Sequence, residues 1–269
     1  MPTQIVDGVT VNYHDAGSGK PIVLIHCSSS SHRQWRGLWE LLQDTNRVIS
    51  IDMLNGGGTD AWTNHEGSLL VDESALIHAI TGDLDEPFHL VGHSYGGAIA
   101  YHLAMTAPES IKSLILIEPM LGWLLDPVND QEFYDEILNV AEYFWQKFET
   151  GKPGEAINYY FDYWNGEGAW DSLDQGQADY VLAGAEKNYH EFKAIFNSGG
   201  DLPVPETFLN PTLLVGGGGS NKPTLRILEI LETKFPNTRK KLVDGAGHMS
   251  PITHSDQVNA IIEEFITNY

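Results

Sequence analysis

Cysteine is almost absent from this chain: Cys27 is the single one in 269 residues. An intrachain disulfide is therefore excluded, and no cysteine-rich zinc pattern can be assembled. Positive charge is scarce too. Fifteen Lys and Arg stand against 37 Asp and Glu, a formal net charge of −22 at pH 7. Such a surface repels phosphate backbones and anionic lipid, which argues against nucleic acid and membrane surfaces as partners. The acidity itself reads as solubility, with a saline habitat as the sharper alternative. Long apolar runs are missing. None reaches the ~18 residues of a membrane span. The longest, residues 113–125, is broken by Glu118 and Pro119. The first residues, MPTQIVDGVTVNYHD, carry no basic segment followed by an apolar one. They do not read as a signal peptide, and a cytoplasmic location is the expectation.

What is present is ordinary globular material, 42% hydrophobic and 19% charged. The length suits one large domain, or one domain with an insert. Short runs rich in Val and Ile lie at 21–26, 47–52, 88–92, 112–117, 211–215 and 239–244. The first five are continuous apolar runs, which predict strands buried on both faces and hence a parallel sheet. Helical patterns alternate with them at 34–43, 69–80, 97–107, 224–234 and 256–267. This alternation predicts an α/β fold with helices on both faces of the sheet. Asp7-Gly8, inside an alternating stretch over 4–15, predicts an opening hairpin. The middle of the chain differs. Between Trp123 and Phe196 lie 17 of the 28 aromatic residues and no strand pattern. Phe133, Ile137, Val140, Phe144 and Phe148 recur at helical spacing. A helical insert is expected there, its aromatics mostly packing its own core, with Trp123, Trp164 or Trp170 as candidates to line a pocket. The glycines at 216–219 do not make a phosphate loop, because Asn221-Lys222-Pro223 replaces the required Gly-Lys-Ser/Thr.

The sharpest motif is Gly92-His93-Ser94-Tyr95-Gly96. It fits G-x-S-x-G between a predicted strand and a predicted helix, the context of a nucleophile elbow. The glycines permit strand and helix to approach closely, and the turn lifts the serine to the helix N-terminus. The competing reading is a glycine-rich turn with an idle serine. A serine at its ordinary pKa needs an adjacent base. Of eleven histidines, His248 follows a predicted strand and the Gly245-Ala246-Gly247 loop, and so can swing over the serine. His254 on the same stretch is the alternative. After the strand at 21–26, the turn His26-Cys27-Ser28 can aim backbone N–H groups at an oxyanion. Ser28 is the predicted donor there, together with the N–H of Tyr95. Cys27 reads as a packed residue, not a nucleophile.

Together these segments resemble the α/β-hydrolase fold superfamily. The resemblance covers nearly the whole chain, through PIVLIHCSSSSHRQW, RVISIDMLNGGGTD, HLVGHSYGGAIAYHLA, KSLILIEP, PTLLVGG and DGAGHMSP. It implies an eight-stranded, mostly parallel sheet and a helical cap inserted after the sixth strand. Residues 1–120 and 203–269 would form the core and 121–202 the cap. It also implies a Ser–His–acid triad with Ser94 and His248. Two positions depart from the family pattern. Cys27 stands where the oxyanion turn usually has Gly. The loop after the seventh strand, 216–223, lacks the usual Asp. Some relatives hold the acid after the sixth strand, where Glu118 stands, so Glu118 becomes the expected acid. Ser220, Asn221 and Asp244 are the alternatives. Asp52 and Asp60 match a structural loop of the family and receive no catalytic role.

The implied activity is esterase-like serine hydrolysis of a small, apolar or aromatic ester. No cofactor or metal is required, and a homodimer is left open. Carbon–carbon hydrolysis of diketone-like acids is the runner-up. Lactonase, thioesterase, acyltransferase and perhydrolase chemistry, or a non-catalytic binding role, are further alternatives.

Overall fold

The computed structural model describes residues 2–64, 67–199 and 202–269. The chain opens with the hairpin β1 (Thr3–Val6) and β2 (Val9–Ala16). Asp7 at φ 48° and Gly8 at φ 87° form its turn, the positive-φ pair that matches strand twist. Then follow β3 (Lys20–Ile25), α1 (Arg36–Leu42), β4 (Asn46–Ile51), α2 (Leu69–Thr81), β5 (Phe88–His93), α3 (Tyr95–Thr106) and β6 (Ile111–Ile117). Four helices come before the next strand: α4 (Gln131–Glu149), α5 (Pro153–Asn165), α6 (Gln175–Ala183) and α7 (Ala185–Asn197). The chain closes with β7 (Thr212–Gly217), α8 (Lys222–Lys234), β8 (Thr238–Val243), the single turn α9 (Ser250–Thr253) and α10 (Ser255–Thr267).

The eight strands form one sheet in the order β1-β2-β4-β3-β5-β6-β7-β8. The β1–β2 and β2–β4 pairs are antiparallel and the remaining pairs parallel. This is the α/β architecture expected from the sequence. Alternate side chains of each strand serve opposite faces. Val23, Ile25, Leu90, Leu114, Leu116 and Leu214 enter one core, with α2, α3 and α8. Ile22, Leu24, Val91, Ile115, Leu213 and Val215 enter the other, with α1 and α10. Burial on both faces is why these strands read as unbroken apolar runs. At the edge, β8 has the sequence TRKKLV and is largely exposed. Basic side chains there discourage pairing with a further strand.

Helix boundaries depart from expectation by a few residues. The stretch expected to be helical from residue 34 opens with a 3₁₀ turn at His32–Trp35. α3 begins at Tyr95, two residues early, because the helix starts as soon as the chain leaves Ser94. In the segment between β6 and β7, α4 buries Ile137, Val140, Ala141 and Phe144 on one face. Phe144 meets Tyr160 of α5 edge-on, with centroids 5.8 Å apart, and Phe192 of α7 at 5.5 Å. These aromatics pack the helices to each other, as their spacing predicts.

Several buried histidines stay neutral in this fold. Burial pushes His26 and His89 down to about 4, and His93 down to about 3. The unfolded chain takes up those protons below about pH 6.5 while the folded chain resists. Their stabilising contribution is therefore complete above about pH 7 and is lost as pH falls toward 4. His89, which pairs with Ser113 Oγ at 2.7 Å, isolates the effect. Between pH 6.5 and 5 it should cost about 2 kcal/mol. His89→Gln should flatten the pH dependence of the urea unfolding free energy over that interval by the same amount. An unchanged slope would remove His89 from the account.

Candidate active site

Register delivers three strand ends to one edge of the sheet. His93 pairs with Ile117, and Ile117 with Val215. One residue further, the Ser94 N–H donates to the Ile117 carbonyl and the Glu118 N–H to the Val215 carbonyl, both at 3.0 Å. Ser94 (φ 57°, ψ −122°) and Glu118 (φ 42°) then both take positive φ. Non-glycine residues do this rarely and at some cost, and such strain concentrates at functional positions. Close packing enforces the turn at Ser94. A Cβ on Gly96 would lie 2.3 Å from the His26 carbonyl oxygen, and one on Gly92 2.4 Å from the Gly96 oxygen. The two glycines of the motif thus answer to contact distance, not to unusual φ.

The loop after β8 returns His248 to this edge. Its Nε2 lies 2.9 Å from Ser94 Oγ and accepts the hydroxyl proton. Its Nδ1–H donates to Glu118 Oε2 at 2.7 Å. All three side chains are buried. Glu118 Oε1 accepts from the Gly217 N–H at 2.6 Å and from the Ser220 hydroxyl. Burial alone would raise this carboxyl. The His248 hydrogen bond and charge, with Gly217 and Ser220, outweigh burial and hold it below the usual Glu range. It stays ionised and fixes the imidazole tautomer that leaves Nε2 free to accept.

The structure separates the alternatives. His254 pairs with Thr253 Oγ1. Asn221 donates to the Tyr163 carbonyl, and Asp244 is exposed. Ser220 contacts the carboxylate, not the histidine. Asp52 accepts from the His32 N–H and ring, from Asn12 and from the Gly58 N–H, and Asp60 from the Thr10 N–H. Both carboxylates organise loops.

Ser28 and Tyr95 border the same cavity as Ser94. Neither backbone N–H has an acceptor among the described residues. The Cys27 N–H is committed to Gln34 Oε1 at 3.0 Å. Cys27 itself needs no positive φ; Ser29, at φ 53°, takes that role in the turn. Burial pushes the Cys27 thiol up to about 12, so it is unreactive.

Gln34 and His93 carry no obvious motif of their own, yet they tie the site together. Gln34 Nε2–H donates to His93 Nδ1 at 3.1 Å, and His93 Nε2–H donates to the His248 carbonyl at 3.0 Å. One neutral chain thus joins the Cys27 turn, the serine elbow and the histidine loop. The motif marks position 93 as variable, and Gln34 lies far from it in sequence, so neither stood out.

Ser94 lies where two cavities meet. The smaller is lined by Met120, Tyr160, Trp164, Asn188, Glu191, Phe192 and Ile195 among others. The larger runs past Phe161, Trp164, Gln177, His248 and Ile252. Trp164 borders both and covers His248, with ring centroids 4.3 Å apart. Trp123 packs toward Tyr101 and Trp170 against Phe161 instead.

Fold and site geometry together define the class. The chain belongs to the α/β-hydrolase fold family, whose model matches residues 20–255. Among relatives, it is 36% identical over 122 residues to a 2-hydroxymuconate semialdehyde hydrolase of Pseudomonas sp. strain CF600. That match covers 42% of this chain, and the chain spans only about two fifths (41%) of that relative. A putative 2-succinyl-6-hydroxy-2,4-cyclohexadiene-1-carboxylate synthase of Bacillus subtilis is 26% identical, over 98% of this chain and 97% of the relative. Among solved structures, the enol-lactonase from Burkholderia xenovorans LB400 superposes with a TM-score of 0.78 at 18% identity, covering 99% of this chain and all of that one. At that identity the likeness speaks for the fold alone. No helix among the described residues is long and apolar enough to cross a membrane.

Contact distance at the elbow makes a stability prediction. Gly96→Ala should cost about 3 kcal/mol or more, because the new methyl meets backbone oxygens that cannot swing away. Gly154→Ala, with nothing within 4 Å of its Cβ, is the control and should be neutral or slightly stabilising. Urea denaturation of both variants compares them directly. Equal midpoints would mean that the elbow tolerates a side chain.

Proposed function

We propose that this protein is a serine hydrolase of small carboxylic esters, acting through an acyl-enzyme. The observation that carries the reading is the continuous hydrogen-bonded chain from Ser94 Oγ through His248 to Glu118, at 2.9 and 2.7 Å, opening onto a cavity. Ser94 Oγ attacks the ester carbonyl carbon while His248 Nε2 takes its proton. The new imidazolium is stabilised by the ionised Glu118. The carbonyl oxygen becomes an oxyanion between the N–H groups of Ser28 and Tyr95, helped by the N-terminus of α3. The tetrahedral intermediate collapses, and His248 returns the proton to the departing alkoxide as the C–O bond breaks. Water then enters, gives a proton to His248 and attacks the acyl carbon. The second collapse releases the acid and restores Ser94.

The four helices between β6 and β7 act in this reading as a cap, residues 121–202. They contribute Tyr160, Trp164 and Phe192 to the cavity walls and keep bulk water from the reacting atoms. Residues 200 and 201 of that span lie outside the described ones. Mostly apolar and aromatic walls favour a small apolar or aromatic acyl group. Carbon–carbon hydrolysis is the second reading, supported by the name of the Pseudomonas relative.

Initial rates on nitrophenyl esters of two to twelve carbons test the proposal. Wild type should turn over the short members, and Ser94→Ala should lose several orders of magnitude. Glu118→Gln should lose about 10²–10⁴ in kcat with the fold intact by circular dichroism. Turnover of vinylogous diketo acids without any ester turnover would replace the ester reading with the second one.

A further inference from the structure

Behind the smaller cavity lies a cluster that the ester mechanism does not use. Lys187 of α7 sits between two carboxylates, 2.9 Å from Glu73 of α2 and 3.1 Å from Glu191 of α7. All three side chains are essentially sealed, at 6%, 0% and 5% exposure. The ammonium also lies 5.6 Å from the centroid of the Tyr95 ring. One cation thus serves two acids. Glu191, not Lys187, borders the cavity. Its Oε1 meets only the Lys187 ammonium, at 3.1 Å, among the described residues. The neighbouring amide of Asn188 is already spent on the Ser29 hydroxyl, at 2.9 and 3.2 Å.

We infer that Glu191 determines specificity: the smaller cavity takes an acyl group whose far end carries a hydrogen-bond donor, a hydroxyl or amide N–H, and turns away a carboxylate. The inference rests on the ester reading only for the direction in which the acyl group enters. An ionised carboxylate can accept about four hydrogen bonds, and one shared ammonium leaves positions that a ligand donor can fill. A substrate carboxylate would be desolvated beside a second carboxylate, with the sole nearby ammonium already shared. The geometry therefore speaks against a carboxylate-bearing acyl group in this cavity.

The test uses nitrophenyl esters of phenylacetic, 3-hydroxyphenylacetic, 4-hydroxyphenylacetic and 4-carboxyphenylacetic acids, which share one shape and do not cyclise. In wild type, kcat/KM for the better hydroxy ester should exceed that of the parent by about tenfold or more. The carboxy ester should fall about a hundredfold or more below the parent. In Glu191→Gln both ratios should shrink at least severalfold. A wild type that treats the parent and hydroxy esters alike, or prefers the carboxy ester, overturns the inference whether or not the variant folds. Calorimetric binding of the corresponding methyl esters to Ser94→Ala separates the two proposals. If no ester is hydrolysed yet the hydroxy compound binds tightest, the ester reading falls and the role of Glu191 stands. If the carboxy compound binds as well as the hydroxy one, the role of Glu191 falls whatever the chemistry.

Discussion

Close contact between a strand and the helix that follows it governs this molecule. β5 ends, α3 begins, and a side chain at Gly92 would strike α3 while one at Gly96 would strike the backbone at the end of β3. Ser94 is therefore forced to positive φ and stands off the end of the sheet. The rest of the site is arranged around that fixed point. The parallel register brings Glu118 to the adjacent strand end. The loop after β8 then brings the imidazole between them. The strain at Ser94 is held by two hydrophobic cores, one on each face of the sheet.

Electrostatics in the site divide into charged and neutral parts. Glu118 is ionised and saturated with donors, so it can balance a cation formed on His248. The Gln34–His93 chain on the other side is neutral and only positions. A positive charge on His93 would oppose the imidazolium that Glu118 stabilises. Burial prevents this by keeping His93 unprotonated. The same principle operates differently beneath the smaller cavity, where burial is only partly offset. There Glu73 is pushed up to about 7 by burial and by Glu191, against the pull of Lys187.

Much of this arrangement is legible in the amino-acid order, and the rest is hidden for identifiable reasons. The sheet is legible because strands buried on both faces have no alternative but apolar runs. Ser94 announces itself through its flanking glycines, whose requirement is local. His248 and Glu118 can be named only by their rank after particular strands, since neither lies in a motif that stands without the fold. Their approach to Ser94 is a property of register. The cluster of Glu73, Lys187 and Glu191 is invisible in the sequence because α2 and α7 meet only after the chain has folded. Two of its members even look like an ordinary solvated i, i+4 pair. The aromatic segment is intermediate. Its spacing reveals α4, but not that Trp164, rather than Trp123 or Trp170, reaches the histidine.

That indole has a further effect. Trp164 sits on α5, whereas His248 belongs to the loop after β8, and their ring centroids are 4.3 Å apart, tilted by 37°. The base thus has one wall supplied by a segment remote from it in sequence. A substitution in α5 can therefore alter the surroundings of His248 while leaving the sheet, the serine elbow and the loop after β8 untouched.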